Sequence, residues 1–193
     1  MTRHDDRPLL VLVRHARPLI DPRRPAATWD LHPAAGPDVA QLAEAIRPLG
    51  VDGVASSLEP KAQATAAILA ERLGLPLTIE DAFREQSSEG LPWLGDEAFR
   101  AAVAEHFARP QEAVLGTESS ADAARRFAAG VDRARADFRR PVVVTHGRVL
   151  CGYLAQTLGI APLPLWSGLR LPDALLVDLA AGTVEAFGDR KEK

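Results

Sequence analysis

The chain alternates between short, fully apolar runs and longer stretches in which apolar residues recur every three or four positions. The first pattern is typical of strands buried on both faces of a sheet, and the second of amphipathic helices. The predicted strands cover residues 9–13, 51–55, 77–79, 141–145, 174–179 and 183–187, and the predicted helices cover residues 37–49, 59–73, 96–107, 118–138 and 147–158. Strands that alternate with helices predict an α/β fold, here a three-layer α/β/α sandwich with a mostly parallel sheet.

One stretch, residues 80–116, departs from this alternation. It contains the sequence Gly-Leu-Pro-Trp-Leu-Gly and a single predicted helix, and we interpret it as a small cap inserted over the sheet. A length of 193 residues fits one domain. We therefore predict a single domain over residues 1–193 that contains this insertion.

Composition and charge limit the kinds of partner. Apolar residues make up 47% and charged residues 25% of the chain, and the formal net charge is -3. Such a chain offers no broad basic surface to nucleic acid, so any anion must be bound by a local group of cations. Cys151 is the only cysteine, which excludes a disulfide framework, and no apolar run has the length of a signal sequence or a membrane span. We expect a cytoplasmic protein without a nucleic-acid or membrane partner, and its oligomeric state stays open, with a homodimer among the alternatives.

Two histidines occupy the same kind of position although they lie far apart in the chain. His15 follows the first buried strand and His146 follows the fourth, with Arg14 before the first histidine and Gly147 after the second. Each histidine alone could be an ordinary loop residue. Because ligands of parallel α/β sheets collect at the carboxyl ends of the strands, the pair predicts one shared crevice if the two strands are neighbours.

Four segments, taken in order, resemble the motifs of the histidine phosphatase superfamily, which contains phosphoglycerate mutases and many bacterial phosphatases. Residues 12–16, Leu-Val-Arg-His-Ala, are similar to its signature, and residues 56–66 resemble its Ser-Ser-x-x-x-Arg-Ala-x-x-Thr-Ala helix start. Residues 83–85, Phe-Arg-Glu, resemble its Leu-x-Glu, and residues 143–147 its second histidine motif. The matches extend over most of the chain, from residue 9 to about residue 150.

The resemblance implies a reaction in which His15 attacks phosphorus while a backbone carbonyl holds its other ring nitrogen. Arg14 would bind two phosphate oxygens with its planar guanidinium group, and His146 would donate a hydrogen bond to another. The backbone N–H of Gly147, at the start of a helix, would add a further donor. Protein cations would then neutralise the phosphate, so neither a metal nor another cofactor is expected.

The resemblance also implies a carboxyl group that protonates the leaving oxygen and later takes a proton from water. Glu85 matches the family position for this residue. Glu89, in Ser-Glu-Gly, is the alternative, because the spacing of the family motif is shortened here.

The sequence departs from the family pattern at three positions around the phosphate. Ala16 stands where glycine is usual, and alanine would resist a positive φ angle. Arg17 follows it in place of Glu or Gln and is a candidate second phosphate-binding cation, with a solvent-facing role as the alternative. Lys61 replaces the second arginine of the family, which keeps the charge but loses the bidentate geometry.

The leading functional hypothesis is a metal-independent phosphatase that hydrolyses a small phosphorylated metabolite through a phosphohistidine. Three alternatives remain: a phosphoglycerate mutase, a phosphohistidine phosphatase acting on proteins, and a non-catalytic phosphate or phosphoprotein binder. We expect selectivity to reside in residues 80–116 and 18–33. His4, His32 and His106 follow no buried strand and are interpreted as surface or packing residues, and Trp93 is interpreted as a residue that packs in the core or the cap.

Overall fold

The structure is a computed structural model that describes residues 9–88 and 90–187. Its six strands are β1 (Leu10–Arg14), β2 (Gly53–Ser56), β3 (Leu77–Ile79), β4 (Pro141–Thr145), β5 (Asp173–Asp178) and β6 (Thr183–Phe187). They form one sheet in the order β3-β2-β4-β1-β5-β6, in which β3, β2, β4 and β1 are parallel and β5 and β6 are antiparallel to their neighbours. The prediction of a mostly parallel sheet is confirmed.

Within the part of the chain that the structure describes, six α-helices are distributed over the two faces of the sheet. They are α1 (Gly36–Ile46), α2 (Pro60–Leu73), α3 (Asp96–Ala108), α4 (Ser120–Asp137), α5 (Gly147–Leu158) and α6 (Pro162–Gly168). Short 3-10 helices cover Ala26–Thr28, Pro33–Ala35, Arg47–Leu49 and Asp81–Phe83. None of the helices in the described ranges has the length and apolar character needed to cross a bilayer.

The core has two parts because successive side chains of each strand point to opposite faces of the sheet. Leu10 and Leu12 belong to the cluster under α4 and α5, whereas Val11 and Val13 belong to the cluster under α1 and α2. All four side chains are almost completely buried. This arrangement confirms the three-layer α/β/α sandwich, and it explains why β1 is a continuous apolar run.

The pairing of β1 with β4 brings the two predicted histidines together. The strands run parallel with Arg14 opposite Thr145, so each strand ends at the same edge of the sheet. The backbone N–H of His15 continues the ladder by donating to the Thr145 carbonyl at 2.9 Å. His15 and His146 therefore leave the sheet side by side.

The segment predicted as an insertion lies between β3 and α4 and contains α3. The Phe99 ring of α3 contacts the Trp166 ring of α6 with the centroids 6.0 Å apart. The guanidinium carbon of Arg148 lies 5.9 Å from the centroid of the same Phe99 ring. These contacts hold α3 against the beginning of α5, which directly follows His146.

Most predicted elements agree with the structure to within two or three residues, and among the described residues α6 is the one α-helix that the sequence pattern did not predict. Its sequence, Pro-Leu-Pro-Leu-Trp-Ser-Gly, contains two prolines within three positions, a pattern that usually indicates a loop. The helix forms because Pro162 occupies its first position, where the missing N–H has no helical acceptor to lose.

Ser119 caps the longest helix. Its hydroxyl accepts a hydrogen bond from the Asp122 backbone N–H at 3.0 Å and contacts the Asp122 carboxylate at 2.7 Å. Ser119 is therefore the N-cap residue of α4, and its hydroxyl satisfies one N–H group of the first turn.

We predict that Ser119→Ala lowers the free energy of unfolding by about 1 kcal/mol, because one N–H group of the first turn of α4 loses its acceptor. Urea denaturation followed by circular dichroism measures this change. Ser167→Ala removes an exposed hydroxyl at the end of α6 and serves as the control, with an expected change below about 0.5 kcal/mol. Equal midpoints for the two variants would contradict the capping role.

Candidate active site

His15 is held in one orientation directly after β1. Its Nδ1 lies 2.7 Å from the Ala16 carbonyl oxygen, which can only accept, so Nδ1 carries the proton and Nε2 keeps its lone pair. Burial, together with the positive charges of Lys61 and Arg14, lowers the pKa of His15 to about 3. At neutral pH the imidazole is therefore uncharged, as a nitrogen nucleophile must be.

Arg14 ends β1 and is anchored by only part of its guanidinium group. Its Nη1 donates to the Leu169 carbonyl oxygen at 2.8 Å. Its Nε is buried and has no hydrogen-bond partner among the described residues. A buried donor without an acceptor is unfavourable, so this N–H group is available to an incoming acceptor.

His146 lies next to His15, with the ring centroids 5.1 Å apart and the rings tilted by 60°. Its Nε2 is 2.8 Å from the Ser57 hydroxyl oxygen, which in turn accepts the Glu59 backbone N–H at 3.2 Å. The Ser57 hydroxyl can donate to Nε2 or accept from it, and Glu59 Oε1 lies 3.4 Å from the same nitrogen, so these contacts are compatible with a ring proton on either nitrogen of His146. Nδ1 is buried without a partner among the described residues, so the tautomer that carries its proton there has a donor free for an anion.

Electrostatics keep His146 neutral as well. Burial is the main cause of the lowering of its pKa well below the ordinary value, and the positive charges of Lys61, Arg148 and Arg14 add to it, as a proton on His15 would. The same cations that favour an incoming anion therefore disfavour protonation of both imidazoles.

Lys61 is buried at the first turn of α2, where its Nζ donates to the Ala26 carbonyl oxygen at 2.8 Å and contacts Glu59 Oε2 at 2.5 Å. Its charge lowers the pKa of both histidines. The structure thus brings Lys61 into the cluster, as the sequence predicted, but paired with a carboxylate that the sequence analysis did not single out.

Glu85 lies at the N-terminus of α5. Its Oε1 accepts the backbone N–H groups of Gln86 at 3.0 Å and Val149 at 2.9 Å, and its Oε2 accepts that of Arg148 at 3.1 Å. Burial alone would raise the pKa of Glu85, but the Arg148 charge and these three N–H groups hold it below its ordinary value. The resting carboxyl group is therefore ionised. Glu89, the alternative, lies outside the described residues.

Ala16 fits its position without strain. No non-glycine residue in the described ranges has a positive φ angle, so the alanine adopts an ordinary backbone conformation. Its N–H donates to the Thr65 hydroxyl at 3.1 Å, and this hydroxyl donates to the Lys61 carbonyl at 2.7 Å. Thr65 thereby connects the loop after β1 to the beginning of α2.

Arg17 lies apart from the buried cluster. Its side chain is exposed, and its backbone carbonyl accepts the His32 N–H at 2.9 Å. Its role in phosphate binding therefore stays a prediction.

The other histidines and Trp93 have separate surroundings. His32 caps the short helix at Pro33–Ala35, and His106 is completely buried in α3. His4 lies outside the described residues. Trp93 is 52% exposed and contacts the Trp29 ring with the centroids 5.7 Å apart, so it is not a core residue.

Three side chains of the site were not singled out from the sequence. They are Ser57, Glu59 and Arg148, which contact His146, Lys61 and Glu85 respectively. Ser57 and Glu59 lie within the second motif, residues 56–66, and this position in the sequence could have identified them as candidate site residues. Within the described residues, no group of three or more His, Cys, Asp and Glu side chains has the arrangement of a metal site.

Gly147 allows the close packing of the cluster. A Cβ atom at this position would lie 3.1 Å from the Trp166 ring and 3.2 Å from Arg14 Nε. The absence of a side chain therefore leaves the Arg14 guanidinium close to the first N–H groups of α5.

We predict that Gly147→Ala weakens inorganic phosphate binding by about tenfold, because the added methyl group displaces Arg14 Nε from its position. Phosphate titration followed by nuclear magnetic resonance measures the dissociation constant. Gly36→Ala adds a methyl group in open space and is the control. Unchanged phosphate affinity in Gly147→Ala would show that Arg14 Nε is not a phosphate ligand.

Several solved structures have a similar fold. A mycobacterial glucosyl-3-phosphoglycerate phosphatase superposes with a TM-score of 0.73 at 20% identity, over 92% of this chain and 96% of that chain. Its complex with inorganic phosphate gives a TM-score of 0.69 at 22% identity, over 86% and 88%. An Entamoeba histolytica phosphoserine phosphatase bound to 3-phosphoglyceric acid gives a TM-score of 0.71 at 15% identity, over 95% and 98%.

At these low sequence identities, the similarity shows that this chain shares the fold of those phosphatases. A search among curated protein sequences found no match. The sequence profile of the histidine phosphatase superfamily (branch 1), however, matches residues 10–180, which is most of the chain and includes all four motifs. The resemblance predicted from those motifs is confirmed, and the chain belongs to the histidine phosphatase superfamily.

Proposed function

We propose that the chain is a phosphatase that hydrolyses a phosphomonoester through a phosphohistidine on His15. The observation that carries this proposal is the state of His15 itself. The ring is neutral, its Nδ1–H is bound to the Ala16 carbonyl, its Nε2 keeps a lone pair, and the cations Lys61 and Arg14 lie near the ring. Family membership supports the proposal, since the phosphoryl-accepting histidine of the signature motif matches His15.

In the first step, His15 Nε2 forms a bond to phosphorus while the bond between phosphorus and the ester oxygen breaks. Charge on the transferring group is spread over its three equatorial oxygens, so the protein contributes mainly by positioning donors around them. Arg14 Nε, the Nδ1–H of His146 and the backbone N–H of Gly147 are these donors in our proposal. The first N–H of α5 has no intrahelical acceptor, and the helix dipole adds to its attraction for phosphate.

Glu85 transfers the protons in the proposed reaction. A bound phosphate dianion raises the pKa of this nearby carboxyl group, so Glu85 is protonated in the complex and gives its proton to the leaving oxygen. The resulting carboxylate then accepts a proton from the water whose oxygen attacks phosphorus. The bond between phosphorus and His15 Nε2 breaks, and inorganic phosphate leaves with neutral His15 restored.

A small phosphorylated metabolite is the proposed substrate class. The similar structures named above are phosphatases of glucosyl-3-phosphoglycerate and phosphoserine, both small phosphomonoesters. In our proposal the cations of the site neutralise the phosphate, and no metal ion takes part in the reaction.

We predict that His15→Ala lowers the hydrolysis of p-nitrophenyl phosphate by at least about a thousandfold, since the nucleophile is lost. His32→Ala removes a histidine outside the cluster and should retain most of the activity. Rates are measured at mildly acidic pH with and without a chelator, which should have no effect.

Three outcomes would contradict parts of this proposal. Equal rates for wild type and His15→Ala would remove His15 from the mechanism. Loss of activity with the chelator would contradict a metal-independent reaction. A wild-type protein that binds phosphate without hydrolysing the ester would instead be a phosphate binder.

The role of Glu85 predicts a dependence on the leaving group. A p-nitrophenolate leaves readily without protonation, whereas an alkoxide does not. We therefore expect Glu85→Gln to lower the formation of the phosphohistidine from an alkyl phosphate by about 100-fold or more, with a much smaller effect on p-nitrophenyl phosphate. Single-turnover measurements with both esters test this.

Glu112→Gln, at an exposed carboxylate paired with Arg109, is the matched control. A variant that merely disturbs the beginning of α5 would lower both single-turnover rates by the same factor. That outcome would assign Glu85 a structural role and leave the proton donor to another residue, such as Glu89.

A further inference from the structure

A buried carboxylate lies among the cations that we propose for phosphate binding. Glu59 is only 4% exposed and directly precedes α2. A carboxylate is unexpected at this position, because it attracts the same cations as the phosphoryl group of the substrate. The proton state of Glu59 therefore affects how strongly the site binds an anion.

The backbone at Glu59 has the extended conformation of a helix-capping residue, with φ -72° and ψ 136°. Its side chain nevertheless makes no capping hydrogen bond to α2. The carboxylate instead points toward the site, where Oε2 contacts Lys61 Nζ at 2.5 Å and Oε1 lies 3.4 Å from His146 Nε2. Oε1 also accepts the Glu85 backbone N–H at 2.7 Å.

The titratable groups that face Glu59 come from three elements. Lys61 lies on α2, His146 at the junction of β4 and α5, and Glu85 in the segment after β3, with His15 beyond His146. Of these groups, Lys61 is the cation in direct contact with the Glu59 carboxylate. Burial raises the pKa of Glu59, and Lys61 only partly opposes this effect.

An incoming dianion changes this balance. When Lys61 turns to a phosphoryl oxygen, the Glu59 carboxylate loses its counter-ion and gains two negative charges nearby. A buried carboxylate in such surroundings is strongly favoured to take up a proton.

We infer that Glu59 competes with the substrate's phosphoryl group for Lys61, so that anion binding at this site takes up one proton on Glu59. The inference deepens the proposed function and rests on the proposed position of the phosphoryl group. Neutral Glu59 then keeps its hydrogen bond from the Glu85 N–H, while Lys61 is released to the anion. The site thereby binds dianions most tightly in weakly acidic solution.

The sign of the pH dependence follows from the two pKa values of Glu59, the lower in the free protein and the higher in the complex. Below both values Glu59 is protonated throughout, and affinity is high and constant. Between them each bound anion takes up a proton, so the dissociation constant rises by up to about tenfold per pH unit. Above both values affinity is low and again constant.

The test uses sulfate, which remains a dianion from about pH 5 to about pH 8.5 and therefore adds no titration of its own. Sulfate is titrated into the full-length protein at several pH values, and the backbone amide resonances of Ala16 and Gly147 report binding. We expect Glu59→Gln to bind sulfate about tenfold or more tightly than wild type at about pH 8. We also expect the variant to lose the part of the pH dependence that Glu59 contributes in wild type.

Two further sets of variants test whether the effect on sulfate binding is specific to Glu59 and Lys61. Glu44→Gln removes an exposed, ion-paired carboxylate on α1 and should behave as wild type. In a Lys61→Met background, Glu59→Gln should no longer tighten sulfate binding, because the competition requires the lysine. An equal effect of Glu59→Gln in both backgrounds would overturn the inference.

The opposite role for Glu59 predicts the opposite result. If the carboxylate only holds Lys61 in place for the anion, Glu59→Gln weakens sulfate binding at every pH, and this outcome would overturn the inference. So would an unchanged pH dependence in the variant, or absence of sulfate binding to both proteins at about pH 5. Sulfate binding needs no turnover, so the inference can hold even if the wild type hydrolyses no ester.

Discussion

The parallel pairing of β1 with β4 is the constraint on which the site depends. It places Arg14 opposite Thr145 and so releases His15 and His146 from the same edge of the sheet. Both strands are buried on both faces, which fixes their register because a slip by one residue would exchange their two sets of apolar side chains. The position of the two imidazoles is thus determined by the packing of the core on both sides of the sheet.

The charges of the site are balanced against burial. Arg14, Lys61 and Arg148 are all removed from bulk water to a large extent, and each has an oxygen partner: the Leu169 carbonyl, the Glu59 carboxylate and the Ser88 hydroxyl. Pairing reduces the unfavourable free energy of burying these cations, whereas the donors left without partners provide places for an anion. Burial, reinforced by the remaining positive field, keeps both histidines neutral. In our proposal, one electrostatic arrangement therefore serves both the nucleophilicity of His15 and the binding of an anion.

Carboxylates at this site occupy two different environments. Glu85 accepts backbone N–H groups at the beginning of α5, and these stabilise its ionised form. Glu59 has a single close cation and is otherwise buried, which favours its neutral form. Groups whose environments shift their pKa values in opposite directions can hold a proton at different stages of one reaction. This contrast separates the roles that we propose for the two residues.

The sequence by itself determined the alternation of elements, the two buried strands that end at histidines, and the four motifs that identified the family. These features depend on local periodicity and on residues close together in the chain, so they can be read without a fold. The boundaries of β4, α5 and β6 agree with the prediction for the same reason. The helix α6 was missed because its prolines dominate its short sequence.

Only the tertiary structure decided which side chains became partners. The Leu169 carbonyl on Arg14, the Ser57 hydroxyl on His146 and the N–H groups of α5 on Glu85 join residues 63 to 155 positions apart. Such partners depend on strand order and on the directions of side chains, and neither is encoded in the spacing of apolar residues. The sequence therefore indicated where the chemistry lies, and the fold determined the proton positions and charges on which that chemistry depends.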